Sequence, residues 1–400
     1  MRRFFRLGVY SSVVAVCGAC TVGGSDSTHN VEELAKPAFV FQSHCPDTPV
    51  AASPTVGEFV LKGQLNALGG DNLASNGQFL YATVGSGSAA DQLRAIELAC
   101  FQEIGSLGNI SAVLSLKTGS NNEVYVNSVG SGLIKVDVEN PAAPLSLSRI
   151  HTQQSSLDFI VRGSVLFEAS YARGVIAWDV TDPNAPRELG RLELAYSAEV
   201  FAWDMADMNN PKALGSMMIE DSSPHSPYQA RSLAVAGNAL LVAARDGGLF
   251  VIDISRPEAM FVLSRYHPAA VTKDPSTGNV TDASVWDVWG VATDGTVAYL
   301  VEGERFEILD ISNPAAPKSK AIVPVQGVAS KVNINQDYAA IALEDAGVVL
   351  HDVRTDATAD HLTRIATPGT ARDAMYVNGD VYVASGDNIL KYSRTGNFSP

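Results

Sequence analysis

The chain has 400 residues, with 43 acidic against 28 basic side chains for a formal charge of −15, and 46% of it is hydrophobic. An acidic balance of this size argues against a nucleic-acid partner and against electrostatic adsorption to anionic lipid. The four cysteines do not form the paired spacing of a zinc cluster.

The chain opens with three positive charges and no acid in Met1 to Arg6, followed by an apolar run from Leu7 to Val16. The run is too short to span a bilayer and has the pattern of a secretion signal. It ends at Val16-Cys17-Gly18-Ala19-Cys20, which resembles the bacterial lipobox, with Cys17 where those signals usually carry Leu. The resemblance implies a leader over 1–19, lipid attachment at Cys20 and a bacterial outer-membrane lipoprotein facing the periplasm or the cell surface. Cleavage after Ala19 by an ordinary signal peptidase is the alternative. Loss of the leader takes three basic residues and no acid with it, moving the formal charge to −18.

Residues 20–54 are rich in Ser, Thr, Gly, Ala and Pro without strand periodicity, and read as a flexible tether. Cys45 and Cys100 remain as the thiols of the mature chain. In an oxidising compartment they form a disulfide, or else they are two unrelated thiols.

Residues 55–400 read as one repeating domain. Glu58 to Leu65 is a lone strand similar to the fourth strands of later repeats, and the last repeat, Arg372 to Arg394, holds three strands. An N-terminal strand that completes the last sheet would close a ring and hide two sheet edges. Between these ends a marker strand recurs, clearest in Gly248 to Pro257, Gly-Leu-Phe-Val-Ile-Asp-Ile-Ser-Arg-Pro. Further copies place Asp137, Asp179 and Asp310 at the same point, and weaker ones place Glu97, Asp204, Asp352 and Ser393 there. Leu249 and Val251 lie on one face of the strand, Phe250, Ile252 and Ile254 on the other, so it is covered on both faces. Ala230 to Val235, a turn at Gly237-Asn238, Leu240 to Ala244 and an outer strand Met260 to Tyr266 complete four strands in about forty residues.

The fold class that follows is all-β: a β-propeller of four-stranded antiparallel blades, seven favoured and eight possible, its ring closed by the N-terminal strand. Asp179 and Asp204 are only 25 residues apart, too close for a full blade. Ala198 to Ile219 is therefore expected to be an extra hairpin lacking its two inner strands. Asp137, Asp179, Asp204, Asp253, Asp310 and Asp352 are assigned to turns, because Asp before Ser-Asn-Pro or Asp-Pro captures backbone amides and Pro presets φ.

The marker strand and its Asp-Ile-Ser-Asn-Pro turn at Asp310 to Pro314 resemble the LVIVD-repeat family of bacterial exported proteins over roughly residues 58 to 394. That resemblance implies a propeller on envelope or surface proteins, with no assigned catalytic motif. The residues themselves show no Gly-x-Ser-x-Gly, no His-Glu-x-x-His, no phosphate loop and no dinucleotide Gly pattern. No cofactor and no metal ligand set is expected. Two long inserts, Glu220 to Gln229 and Pro268 to Ser284, should emerge beside the channel. Candidate ligand contacts are His225 and Tyr228 in the first insert and Trp286, Asp287 and Trp289 after the second, with inter-blade core as the other place for the tryptophans.

The functional expectation is a monomeric, non-catalytic binding scaffold for a protein or glycan. A propeller hydrolase or lyase with metal at the channel, and a structural surface protein, are the alternatives.

Overall fold

The computed structural model describes residues 59–66, 70–84, 91–110, 112–119, 122–129, 132–150, 156–162, 165–170, 175–179, 187–192, 198–204, 212–219, 230–245, 247–256, 260–268, 272–273, 280–282, 287–335, 337–355 and 362–394. All of them belong to the unit from Phe41 to Pro400. The leader, Cys20, Cys45 and the whole tether therefore lie outside the described residues, as do His225, Tyr228 and Trp286.

Seven four-stranded antiparallel sheets are formed among the described residues. Their inner strands are Gly70–Ser75, Val113–Thr118, Ser156–Arg162, Ser232–Ala236, Gly290–Thr293, Lys331–Asn335 and Ala371–Val377, here numbered blades 1 to 7. Each inner strand lies beside the next, and that of blade 7 lies beside that of blade 1, so the ring is closed. Blade 3 is described mainly through its backbone. The outermost strand of blade 7 is Phe59–Asn66, paired from Phe59↔Arg394 to Asn66↔Asn388.

The doubly apolar marker strand explains why the blades stack. Leu249 and Val251 pack with Val288, Val291 and Leu300 of blade 5, while Phe250 and Ile252 pack with Phe167 and Ala169 of blade 3. Each of these side chains is almost fully buried, which stabilises by about 1.5–3 kcal/mol for every Val, Leu, Ile and Phe among them. Four of the recurring acids, Asp137, Asp253, Asp310 and Asp352, end these strands as side-chain caps on turns, and the side chains of Asp179 and Asp204 lie outside those described. Asp253 Oδ1 accepts from the Ser255 amide at 2.8 Å and its hydroxyl at 2.5 Å, Asp310 from the Ser312 amide at 2.9 Å and hydroxyl at 2.6 Å. Asp137 accepts from the Glu139 amide at 2.8 Å and Asp352 from the Arg354 amide at 3.0 Å. The Ser hydroxyl, then the Ser amide, holds the Asp253 and Asp310 carboxyls below the usual carboxylate range.

The glycine ahead of the marker strand has a specific cause. Gly248 has φ +78°, and a Cβ there would lie 2.5 Å from the Tyr266 carbonyl oxygen of the outer strand. Gly248→Ala is expected to lower unfolding free energy by roughly 2 kcal/mol, through strain at positive φ and displacement of that carbonyl. A urea midpoint equal to that of the unsubstituted chain would contradict this.

Blade 3 corrects one expectation. Ala198–Asp204 and Lys212–Ile219 are its third and fourth strands, paired to Val165–Ser170 from Val165↔Asp204 to Ser170↔Glu199. The two-stranded excursion is instead Val175–Asp179 with Arg187–Leu192. The physical reason is visible once the two are aligned: Val-Ile-Ala-Trp-Asp at 175–179 and Val-Phe-Ala-Trp-Asp at 200–204 are interchangeable as third strands. The hairpin that best matches the marker strand is thus not the one that enters the sheet.

Candidate functional site: the mouth of the central channel

The inner strands begin in the same way in four blades. Register shifts fall between Gly70 and Asn72, Val113 and Ser115, Ser156 and Asp158, and Ala371 and Asp373. A bulge leaves one residue outside the ladder and re-aims it. The residues passed over are Asp71, Leu114, Leu157 and Arg372, and all four line one cavity of about 400 Å³ at this end of the channel.

In three of the four blades the residue after the bulge ties blade to blade. Asp373, fully buried, accepts from the Leu73 amide of blade 1 at 2.9 Å and from Asn333 Nδ2 of blade 6 at 2.6 Å. Asp158 Oδ2 accepts from the Leu233 amide of blade 4 at 3.0 Å. Asn72 Nδ2 donates to the Val113 carbonyl of blade 2 at 3.2 Å. These polar groups are committed to backbone and amide partners, which orders the channel wall.

Four basic side chains reach the cavity, Lys117, Arg231, Lys331 and Arg372, from blades 2, 4, 6 and 7. Lys331 Nζ lies 2.7 Å from Asp373 and donates to Asn72 Oδ1 at 2.8 Å, crossing blade 7 to reach blade 1. Lys117 Nζ is 3.5 Å from Asp158 Oδ1, and Arg372 pairs with Asp71. The Arg231 guanidinium lies 4.6 Å from the centre of the Trp289 ring, with Arg245 at 5.2 Å.

Of the contacts expected from sequence, Trp289 lines the cavity and is 38% exposed, so it is not inter-blade core. Asp287 is turned to Arg245, accepting from Nε at 3.1 Å and Nη2 at 2.8 Å. Arg245 and Val288 are joined by a pair of backbone hydrogen bonds that seat this segment against blade 4. Arg231 and Trp289 are the first cavity-lining residues after the two inserts, while Glu220 to Gln229 and most of Pro268 to Ser284 lie outside the described residues. Sequence reading missed the basic residues and Asn72, Ser115, Asp158, Asn333 and Asp373. The last five share the third position of their inner strands, which was the available signal, whereas the basic residues share none. Cys100 Sγ donates to Glu97 Oε2 at 3.4 Å.

Among the described residues no group of three or more His, Cys, Asp or Glu is placed to hold a metal ion. A buried acidic pair lies away from the channel, in blade 5: Glu302 accepts from Arg305 Nε at 2.6 Å, and Glu307 accepts from the Tyr266 hydroxyl at 2.6 Å and from the Ser319 hydroxyl. Burial pushes the Glu302 carboxyl up to about 8, opposed by Arg305 and reinforced by Glu307. A carboxyl with a folded pKa above its ordinary 4.5 binds more proton folded than unfolded, so its contribution falls as pH rises from about 4.5 to 8 and then levels off. Burial raises Glu168 to about 7, adding to the same slope. Glu302→Gln should make the urea midpoint less dependent on pH across that window. An unchanged pH profile would show that Glu302 does not titrate there.

The LVIVD repeat family matches residues 228–267 and 287–324, which contain the marker strands ending at Asp253 and Asp310. The chain is a β-propeller that carries LVIVD repeats. No curated protein matches it significantly. Among solved structures, Sqt1 of Saccharomyces cerevisiae superposes with a TM-score of 0.57 at 12% identity, over 86% of this chain and 99% of that one. The computationally designed Ika8 protein gives 0.58 at 12% identity, over 84% and 99%. At this identity the likeness concerns the fold alone.

Proposed function

We propose that this LVIVD-repeat propeller is a non-catalytic binding protein of the bacterial envelope, monomeric and held at the outer membrane by lipid on Cys20, which takes its ligand at the channel mouth. The observation that carries the reading is the cavity itself, where polar and basic side chains of several blades meet at one end of the channel. Ligand sites favour such concave junctions on rigid scaffolds. The acids near it serve as acceptors for neighbouring blades, Asp158 for the Leu233 amide and Asp373 for the Leu73 amide, which supports recognition over acid–base chemistry.

Native mass spectrometry of the full chain taken from its own envelope tests the binding. A stoichiometric small molecule, lost in an Arg231→Ala/Trp289→Ala double variant that keeps its urea midpoint, is expected. A chain that carries no such molecule would count against the reading. Palmitate labelling tests the anchor separately: label on the unsubstituted chain and none on Cys20→Ala is expected, and equal label on both would refute attachment there.

A further inference from the structure

Resting on the reading of the channel mouth as a binding site, we propose that its ligand is a small organic oxyanion, a carboxylate or a phosphate ester. The lining sets four bases against two acids, Asp71 and Asp158, in a chain whose formal charge is −15. Asp373, behind Lys331, brings the balance to four against three and is itself fully buried. Asp71 is already engaged by Arg372, and Asp158 accepts through Oδ2 from the Leu233 amide while its Oδ1 faces only Lys117, at 3.5 Å.

The donors are arranged differently. An ammonium group has three hydrogens, and Lys331 directs two of them at Asp373 and Asn72. Lys117 meets Asp158 at 3.5 Å, longer than a normal hydrogen bond, and its side chain is one-third exposed. Among the described residues three buried oxygens on the same wall have no hydrogen-bond partner, the Ser115 and Ser330 hydroxyls and Asp158 Oδ1, and the two hydroxyls can donate to a ligand. Ser115 precedes Lys117 by two residues on one strand face, and Ser330 adjoins Lys331. Hydroxyl and ammonium groups lining the cavity from blades 2 and 6 therefore offer hydrogen bonds, charge-assisted at the lysines, to an oxyanion. A cavity of about 400 Å³ takes a small metabolite.

Calorimetry on the purified full chain with citrate, inorganic phosphate, glucose and putrescine tests this. Citrate or phosphate should bind and weaken with added NaCl, whereas glucose and putrescine should not bind. Lys117→Met should lower oxyanion affinity by about tenfold. Ser115→Ala should also lower it, yet leave the urea midpoint unchanged or higher, because that hydroxyl has no bond to lose. Failure of both oxyanions, or their undiminished binding to Lys117→Met and Ser115→Ala, overturns the proposal. If glucose or putrescine occupies the cavity instead, the ligand class falls and the binding reading stands. If all four probes are silent and native mass spectrometry finds no ligand, both fall.

Blade 3 carries a second, independent inference: we infer that hairpins 175–192 and 200–217 compete for one place in the sheet. At an offset of 25 residues Val175, Ala177, Trp178, Asp179, Pro186 and Gly190 recur as Val200, Ala202, Trp203, Asp204, Pro211 and Gly215. The two hairpins also share their register, Val175↔Leu192 and Val200↔Met217, and their bulge, after Ala177 and after Ala202. If the first copy took the register of the second, Ser170 would oppose Gly174 across a three-residue loop. That is the connection that joins Ser128 to Gly132 in blade 2. Both arrangements thus satisfy the same backbone ladder, and an exchange would replace Lys212, Ala213 and Ser216 in the outer strand by Arg187, Glu188 and Arg191.

Cysteine pairs report the two states. Ala169 opposes Val200, so Ala169→Cys with Val200→Cys should cross-link on oxidation, and Ala169→Cys with Val175→Cys should cross-link as well. Deleting residues 175–199 or residues 200–224 should each leave a cooperatively folded ring. A quantitative first cross-link with none of the second, or unfolding of the 200–224 deletion alone, overturns the exchange.

Discussion

Deletion of residues 55–66 is expected to lower the unfolding free energy by on the order of 5 kcal/mol, much of the margin of a typical domain. The strand Phe59–Asn66 is the outer member of blade 7, and its removal strips the partner from Asn388–Arg394 along its whole length. Leu65 and Phe101 pack against the cluster between blades 7 and 1, and Phe59 against that between blades 6 and 7. The Arg394 guanidinium lies 5.3 Å from the centre of the Phe59 ring. An uncovered edge also invites intermolecular pairing. Urea denaturation with light scattering reads both effects; a deletion variant with an unchanged midpoint and no aggregation would mean that the ring is held closed by other contacts.

Asp373→Ala should cost about 4 kcal/mol, the range for breaking a buried charge pair from one side. The carboxylate is fully buried and joins three blades: the Leu73 amide of blade 1 at 2.9 Å, Asn333 Nδ2 and Lys331 of blade 6 at 2.6 and 2.7 Å, and its own blade through the Ala374 amide at 2.9 Å. Its loss removes an acceptor from four donors at the junction where the ring closes, of which Asn333 and Lys331 keep a second one. Asp310→Ala, at an exposed turn, is the natural comparison and should cost about 1 kcal/mol. Equal urea midpoints for the two variants would show that the inter-blade tie contributes nothing beyond an ordinary turn.

The blade architecture was legible because the marker strand is apolar on both faces, and such a strand has to be covered twice. Leu249 and Phe250 do go to opposite neighbours, and Asp253 and Asp310 do cap turns. The lone N-terminal strand and the three-stranded last repeat implied each other, and they pair. The channel mouth was only partly legible. Trp289 could be named from its exposed-aromatic pattern beside an insert, but Lys117, Lys331 and Arg372 lie 214 and 41 residues apart and share no motif. Convergence of single residues from seven strands leaves no local trace in one dimension.

The amino-acid order by itself determined that this chain forms a closed ring of antiparallel blades, because alternation, glycine placement and Asp-Pro corners are local properties repeated often enough to leave one solution. Tertiary structure alone decided which of the two hairpins, 175–192 or 198–219, entered blade 3, since their local sequences are equivalent and only docking against Val165–Ser170 separates them. It also decided where the charges met. Bulges at the inner-strand starts aim Asp71 and Arg372 into a shared cavity, and that depends on the radius and closure of the whole ring, which no single repeat encodes.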